Sequence, residues 1–260
     1  MERSTDWTTE RNPIHEALGS LLYNLRMRLT EVDYEELSSF DLHFKRSFKT
    51  VAGLDEAGRG PLAGPVVAAA VVIDKPIAGI YDSKALTERR REELYEEIVG
   101  SASVGIGLST PEEIDLLNIL NATKLAMNRA LKALQYRPSF VLVDGKHLTL
   151  DIRGECIVGG DRLSMSIAAA SIVAKVYRDG LMRDLAVLYP EYGYDHHKGY
   201  GTKKHLDAIS LHGPSTWHRL TYRPIREMAN PEIISGWLKH NLIAENRLFR
   251  AGLTGRHRSE

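Results

Sequence analysis

The chain has 260 residues and a mass of 29.1 kDa, with 43% hydrophobic and 26% charged residues, which is enough to bury a core in one domain and rules out a disordered tail protein. A single cysteine, Cys156, excludes an internal disulfide, and thirty-four basic residues balance thirty-four acidic ones, so any polyanion site requires local segregation of charge. The sequence has no long apolar run and no charged-then-apolar leader, which sets the expectation of a cytoplasmic protein without a membrane span.

Residues 1–48 read as a helical extension. Ile14, Leu18, Leu21, Leu22, Leu25 and Leu29 fall on one helix face, after Asn12-Pro13 as cap and first turn. This stretch carries six basic and nine acidic residues, a net charge of −3 that disfavours phosphate contact. Its apolar face is expected to cap the rest of the chain rather than dock a partner. From Phe48 onward the pattern turns to short β-rich runs at 50–55, 65–73 and 103–108, with a charged helix over 87–98 ending at Gly100. Thr110-Pro111-Glu112-Glu113 is a capping box that opens one helix, with Leu116, Leu120, Met127, Leu131 and Leu134 as its expected buried face. Phe140 to Val143 reads as a buried strand ending at Asp144-Gly145, and a short strand over 155–158 follows. Beyond Gly159-Gly160-Asp161 the spacing predicts a helix over 164–188, whose small Ala and Ser side chains let it lie close to a sheet. Residues 49–226 thus form the expected α/β domain, a mixed sheet with helices on its faces. Residues 227–260 predict a helix capped by Asn230-Pro231 and a frayed tail; over 221–260 the net charge is +3.

Two constellations carry chemistry. Asp55 and Glu56 end an apolar strand and precede Gly58-Arg59-Gly60, a loop whose bare amides can approach an anion. Alternation along a strand would send the two carboxylates to opposite faces, and an ordinary solvated turn is the competing interpretation. Asp144 ends a second apolar strand; if the two strands are parallel neighbours, their terminal carboxylates lie about 5 Å apart. Asp161 could join them, or cap the helix that follows it. Convergent carboxylates without a Cys or His ligand pattern favour Mg²⁺ or Mn²⁺ over Zn²⁺, and such clusters commonly hold two ions astride a phosphodiester. The second constellation is residues 189–226, with six basic and three acidic residues plus five histidines. Aromatics interleaved with Lys and Gly suit a nucleic-acid surface, and Tyr200 between two glycines has no core to fill. The adjacent His196 and His197 read as surface polarity rather than a metal pair.

These residues resemble the type 2 ribonuclease H family (ribonuclease HII). The likeness rests on Asp55-Glu56-Ala57-Gly58-Arg59-Gly60-Pro61, Asp82-Ser83-Lys84, Glu113-Ile114-Asp115 with Asn118-Ile119-Leu120, and Val143-Asp144-Gly145. It continues through Gly160-Asp161, Ala169-Ala170-Ser171-Ile172-Val173-Ala174-Lys175 and His197-Lys198-Gly199-Tyr200-Gly201-Thr202. The resemblance implies an RNase H-like, mixed five-stranded sheet flanked by helices, with helical N-terminal and C-terminal extensions. It also implies a monomeric endonuclease, dependent on Mg²⁺ or Mn²⁺, that cuts RNA in RNA/DNA hybrids and single ribonucleotides in duplex DNA. The cut falls 5′ of the ribonucleotide and leaves 3′-OH and 5′-phosphate ends. By the same resemblance Asp55, Glu56, Asp144 and Asp161 are the catalytic, metal-binding set. Gly58, Arg59 and Gly60 sense the ribose 2′-hydroxyl, the handle that separates RNA from DNA. Tyr200 stacks on the neighbouring deoxyribose. Lys84 and Lys175 fit phosphate contacts, or else helix-end charges. The 48-residue helical front is no part of the family core. A junction resolvase of the same fold and a non-catalytic nucleic-acid-binding module are the alternatives; the second is at odds with clustered carboxylates, which repel phosphate unless a cation intervenes.

Overall fold

Five short apolar runs become one sheet. β1 (Val51–Ala57), β2 (Val66–Val72), β3 (Ser103–Ser109), β4 (Phe140–Asp144) and β5 (Gly154–Ile157) lie in the order β3-β2-β1-β4-β5. The computed structural model describes residues 37–80, 86–146 and 150–254, so the helix expected near 14–29, and Lys84, lie outside the described residues. β1, β2 and β3 pair antiparallel, while β4 and β5 join parallel to β1, giving the mixed five-stranded sheet that was expected. β2 is buried at all seven positions, as a strand covered by helices on both faces must be.

Helix α5 (Met165–Leu188) covers one face. Its Ala- and Ser-rich start presses on β1 so closely that a β-carbon at Gly53 would collide with the Ser166 carbonyl group. The opposite face is covered by α4 (Ile119–Ala133), against which Gly105 and Gly107 of β3 leave no room for side chains. The helix expected to run unbroken from Thr110 is instead α3 (Pro111–Leu117) followed by α4, divided at Asn118, whose φ is +67° and whose side chain caps Asn121. That break resets the helical phase. Leu116 and Leu120 therefore face solvent, whereas Met127 and Leu134 are buried as expected, joined by Ile114, Ala122, Ala126 and Ala130. Alanines stand at 126 and 130, where the helix backbone presses on Gly105 and Gly107.

Helix α1, residues 37–45, docks on the start of α5. Asp41, 2% exposed, accepts hydrogen bonds from Ser164 Oγ (2.5 Å), Ser166 Oγ (2.5 Å) and the Ser166 backbone N–H (2.8 Å). A carboxylate there also meets the positive end of the helix. Phe44 and Phe48 stack on Phe140 of β4, with centroids 5.6 and 4.1 Å away. Substituting Asp41→Ala strands three buried donors, each worth about 1–3 kcal/mol, and partial rearrangement leaves a net loss of roughly 2–3 kcal/mol. In a chain of this size that lowers the thermal midpoint by roughly 5–10 °C in a calorimetric scan; a change below about 1 °C would show that the segment is not holding α5.

Helix α2 (Glu88–Ser101) follows β2, and α6 (Tyr194–His197), α7 (Lys203–His212), α8 (Arg223–Met228) and α9 (Pro231–Lys239) follow α5. Beyond α9 the chain stays packed as far as Ala251, because α10 (Glu245–Arg250) buries Arg247 and Leu248; the polar end where fraying was expected falls almost wholly outside the described residues. Among the described residues no helix is long and apolar enough to cross a membrane.

Candidate active site

In the parallel register of β1 and β4, Leu54 stands opposite Val143, so Asp55 and Asp144 leave neighbouring strands side by side. Asp55 is 6% exposed and its Oδ1 accepts the Glu56 backbone N–H at 2.7 Å. Asp144 Oδ1 accepts the Gly160 N–H at 2.7 Å. Glu56 stays in β1, opposite Ala68, yet alternation does not part it from Asp55. Burial drives the Asp55 carboxyl well above its ordinary value, and the charges of Glu56 and Asp144 push it further, against a hydrogen bond from Ser171. Glu56 is raised by burial too, opposed by the Arg59 guanidinium 3.3 Å away. Three carboxylates therefore repel one another in a half-dry setting, a cost that a cation would remove.

These three side chains, with Lys175, Arg178 and Tyr200, line a cavity of about 470 Å³. Larger hollows of about 560 and 680 Å³ lie elsewhere, one beside α4 and one between α2 and α5, so size does not mark this site. Among the described residues no three His, Cys, Asp or Glu side chains are already grouped closely enough to cage an ion. Their chemistry nonetheless fits a hard divalent cation: the cavity offers carboxylate oxygens and neither cysteine nor histidine. Asp161, 3% exposed, is not among the residues lining the cavity; it lies in the 3-10 turn Gly160–Arg162, next to the glycine that holds Asp144. It does not cap α5, because Ser164 takes that place and accepts the Ile167 N–H. Lys175 is no helix-end charge either. It sits mid-helix in α5, 2.9 Å from Asp179, and lines the cavity.

The glycine loop is shaped from below by two buried arginines. At Gly58 φ is +94°, and a β-carbon would collide with the Arg178 guanidinium. Arg178 donates to the carbonyls of Pro65 (2.9 Å), Lys198 (3.1 Å) and Ala63 (3.1 Å). Arg219, fully buried, donates to those of Gly58 (2.6 Å), Arg59 (2.9 Å) and Gly64 (2.9 and 3.0 Å), and the Tyr222 hydroxyl also donates to Arg59 O (2.5 Å). Burial pulls the Arg178 guanidinium down to about 10, with the Arg219 charge adding to the shift. Arg178 lines the acidic cavity and Arg219 holds the loop at its edge, where positive potential assists approach of a phosphate. Arg219 was counted in the basic surface over 189–226, but it lies inside.

The segment bearing Arg219 is anchored in turn. Asp115 of α3 accepts from the backbone N–H groups of Leu220 (3.1 Å) and Thr221 (2.9 Å) and from Thr221 Oγ1 (2.8 Å). Arg247 of α10 reaches Asp115 Oδ2 at 3.1 Å and donates to the carbonyls of Thr216 and His218. Sequence reasoning missed Arg178, Arg219 and Arg247 as supports; the only available hint was Asp115, inside a quoted motif.

Tyr200 is 48% exposed, as expected of a ring between glycines. A β-carbon at Gly60 would stand 3.6 Å from its Cε1, so ring and glycine loop share one edge of the cavity. His197 is not surface polarity: its ring stacks on His205 at 4.4 Å and its Nε2 donates to Tyr192 O at 2.7 Å, while His196 remains exposed.

Residues 52–225 match the family model described as ribonuclease HII. The chain is 54% identical over 204 residues to a ribonuclease HII of Thermotoga petrophila, covering 78% of this chain and 86% of that protein. To a ribonuclease HII of Burkholderia thailandensis it is 53% identical over 190 residues, covering 72% and 89%. Among solved structures it is similar to the ribonuclease H2 of Pyrococcus horikoshii OT3, with a TM-score of 0.58 and 29% identity over 73% of this chain and 99% of that one.

Proposed function

The chain belongs to the ribonuclease HII family, an endonuclease that cleaves RNA in RNA/DNA hybrids and removes ribonucleotides from duplex DNA, and we propose that Asp55, Glu56, Asp144 and Asp161 carry the reaction. The supporting observation is the meeting of the β1 and β4 carboxylates in one cavity with Lys175, Arg178 and Tyr200. Mg²⁺ or Mn²⁺ held by these carboxylates would supply an activated water and neutralise the leaving oxygen. Asp55, Glu56 and Asp144 face the cavity, and Asp161 backs Asp144 through the Gly160 turn.

Gly58, Arg59 and Gly60 lie against the ribose and report its 2′-hydroxyl through their backbone, held in one shape by Arg219. Tyr200 stacks its exposed ring on the adjoining deoxyribose. Lys175 meets a phosphate at the cavity wall, and Lys84 is assigned the same role by resemblance alone. The cut falls on the 5′ side of the ribonucleotide and leaves a 3′-hydroxyl and a 5′-phosphate.

The test is a duplex with one embedded ribonucleotide, assayed with Mg²⁺, with Mn²⁺ and with excess chelator, beside an all-DNA duplex and an all-DNA four-way junction. The expected result is a single nick 5′ of the ribonucleotide that needs the metal. Cutting of the junction, or equal cutting in chelator, overturns the assignment.

A further inference from the structure

Behind the exposed Tyr200 ring lies a chain of histidines whose partners dictate where each proton sits. His205 Nδ1 is 2.9 Å from the Tyr200 carbonyl oxygen, which only accepts, so that nitrogen carries the hydrogen. His218 Nδ1 is 2.8 Å from the Ser215 backbone N–H, which only donates, so that nitrogen is bare and His218 Nε2 carries the hydrogen. The two Nε2 atoms stand 3.0 Å apart, one a donor and the other an acceptor. The relay therefore runs in a single direction, from Ser215 through His218 and His205 to the Tyr200 carbonyl. Both rings are fully buried, and burial holds His205 down to about 4 and His218 well below its ordinary value, so both are neutral at ordinary pH. Stacking by His197 at 4.4 Å and the edge of Tyr194 at 5.5 Å fix the plane of His205. The remaining backbone bonds of Tyr200 are local, to His197 O at 2.9 Å and from Thr202 N at 2.8 Å. His205 is the side chain that bonds the Tyr200 backbone itself, while on its N-terminal side Arg178 holds the Lys198 carbonyl at 3.1 Å and the Leu62 and Ala63 N–H groups hold that of Gly199 at 2.8 and 3.3 Å.

We infer that His205, its tautomer set by His218, is a positioning residue for Tyr200: it fixes the backbone from which the ring reaches the nucleic acid. This rests on the reading of Tyr200 as a stacking ring. A ring whose backbone wanders loses stacking, which is worth about 1–3 kcal/mol, or roughly 5- to 150-fold in affinity. The carboxylates do not touch the relay, so the effect belongs to KM rather than kcat.

Two variants separate the halves of the relay. His205→Asn keeps a donor where Nδ1 stood, towards Tyr200, and gives up His218. His205→Gln keeps a partner where Nε2 stood, towards His218, and gives up Tyr200. Steady-state kinetics on the single-ribonucleotide duplex should show KM rising about tenfold for His205→Gln and less than about threefold for His205→Asn, with kcat within about twofold in both. In a Tyr200→Ala background, His205→Gln should add nothing further to KM, the signature of two residues acting through one contact. Equal KM values for the Asn and Gln variants, a loss confined to kcat, or a full additional rise in the Tyr200→Ala background overturns the positioning role. If Tyr200→Ala alone leaves KM unchanged, the stacking reading itself fails and the inference fails with it, an outcome told apart by that variant alone.

Discussion

Replacing Asp144 with asparagine should lower the nicking rate on a single-ribonucleotide duplex by about a thousandfold or more while raising the thermal midpoint of the metal-free protein. The two effects have one origin. Asparagine is nearly isosteric and its Oδ1 can still accept the Gly160 N–H now bonded to Asp144 at 2.7 Å, so the turn carrying Asp161 keeps its anchor. What disappears is a charge that helps push the Asp55 carboxyl far above its usual range. Without a cation that repulsion is pure cost, and its removal stabilises the fold. With a cation the same charge is what binds it, and the metal's several kcal/mol of transition-state stabilisation is lost with it, each 1.36 kcal/mol being a factor of ten in rate. Melting in chelator beside single-turnover nicking in Mg²⁺ checks both. A variant that nicks at the parental rate would remove Asp144 from the site, and one that melts lower would show that its charge is structural.

The parts of this protein that were legible in the sequence are those with local signals. Apolar runs ended by glycine or proline marked β1, β2 and β4, and carboxylates at two strand ends anticipated the pairing of Asp55 with Asp144, because parallel neighbours must place strand termini together. The capping box at Thr110 was found where it was expected. Leucine periodicity failed at Leu116 and Leu120 because it assumed an unbroken helix, whereas Asn118 adopts a positive φ and shifts the phase. The arginines that support the site gave no local signal of their own, Asp115 in its motif being the one hint. Arg219 reaches Gly64 across 155 residues, and Arg247 reaches Asp115 across 132. A buried arginine bonded to carbonyls looks, in sequence, like any surface arginine; only the third dimension reveals that its partners are main-chain oxygens. The histidines behind Tyr200 were hidden for the same reason, since charge counting treats a neutral buried ring as a polar surface residue.

Arg219 is where this hidden support bears most heavily. Among the described residues no carboxylate touches its guanidinium; its donors go to the carbonyls of Gly58, Arg59 and Gly64 and to the Tyr222 hydroxyl at 3.0 Å. Substituting Arg219→Met removes the buried charge but strands carbonyl oxygens in a dry interior, each costing about 1–3 kcal/mol. Tyr222 still serves Arg59, so the net loss should be about 3–5 kcal/mol. In a protein of this length that is a fall of roughly 10–15 °C in midpoint. Arg219→Lys tests geometry rather than charge. A lysine keeps the cation, yet one ammonium cannot span carbonyls that a planar fork reaches together, so the glycine loop should loosen although the net charge is unchanged. The expected result is a smaller stability loss, about 2 kcal/mol, with a tenfold or greater fall in kcat/KM on the single-ribonucleotide duplex. If the lysine variant melts lower yet keeps parental kcat/KM, the clamp is only a structural brace, and recognition of the ribose does not depend on the shape it imposes.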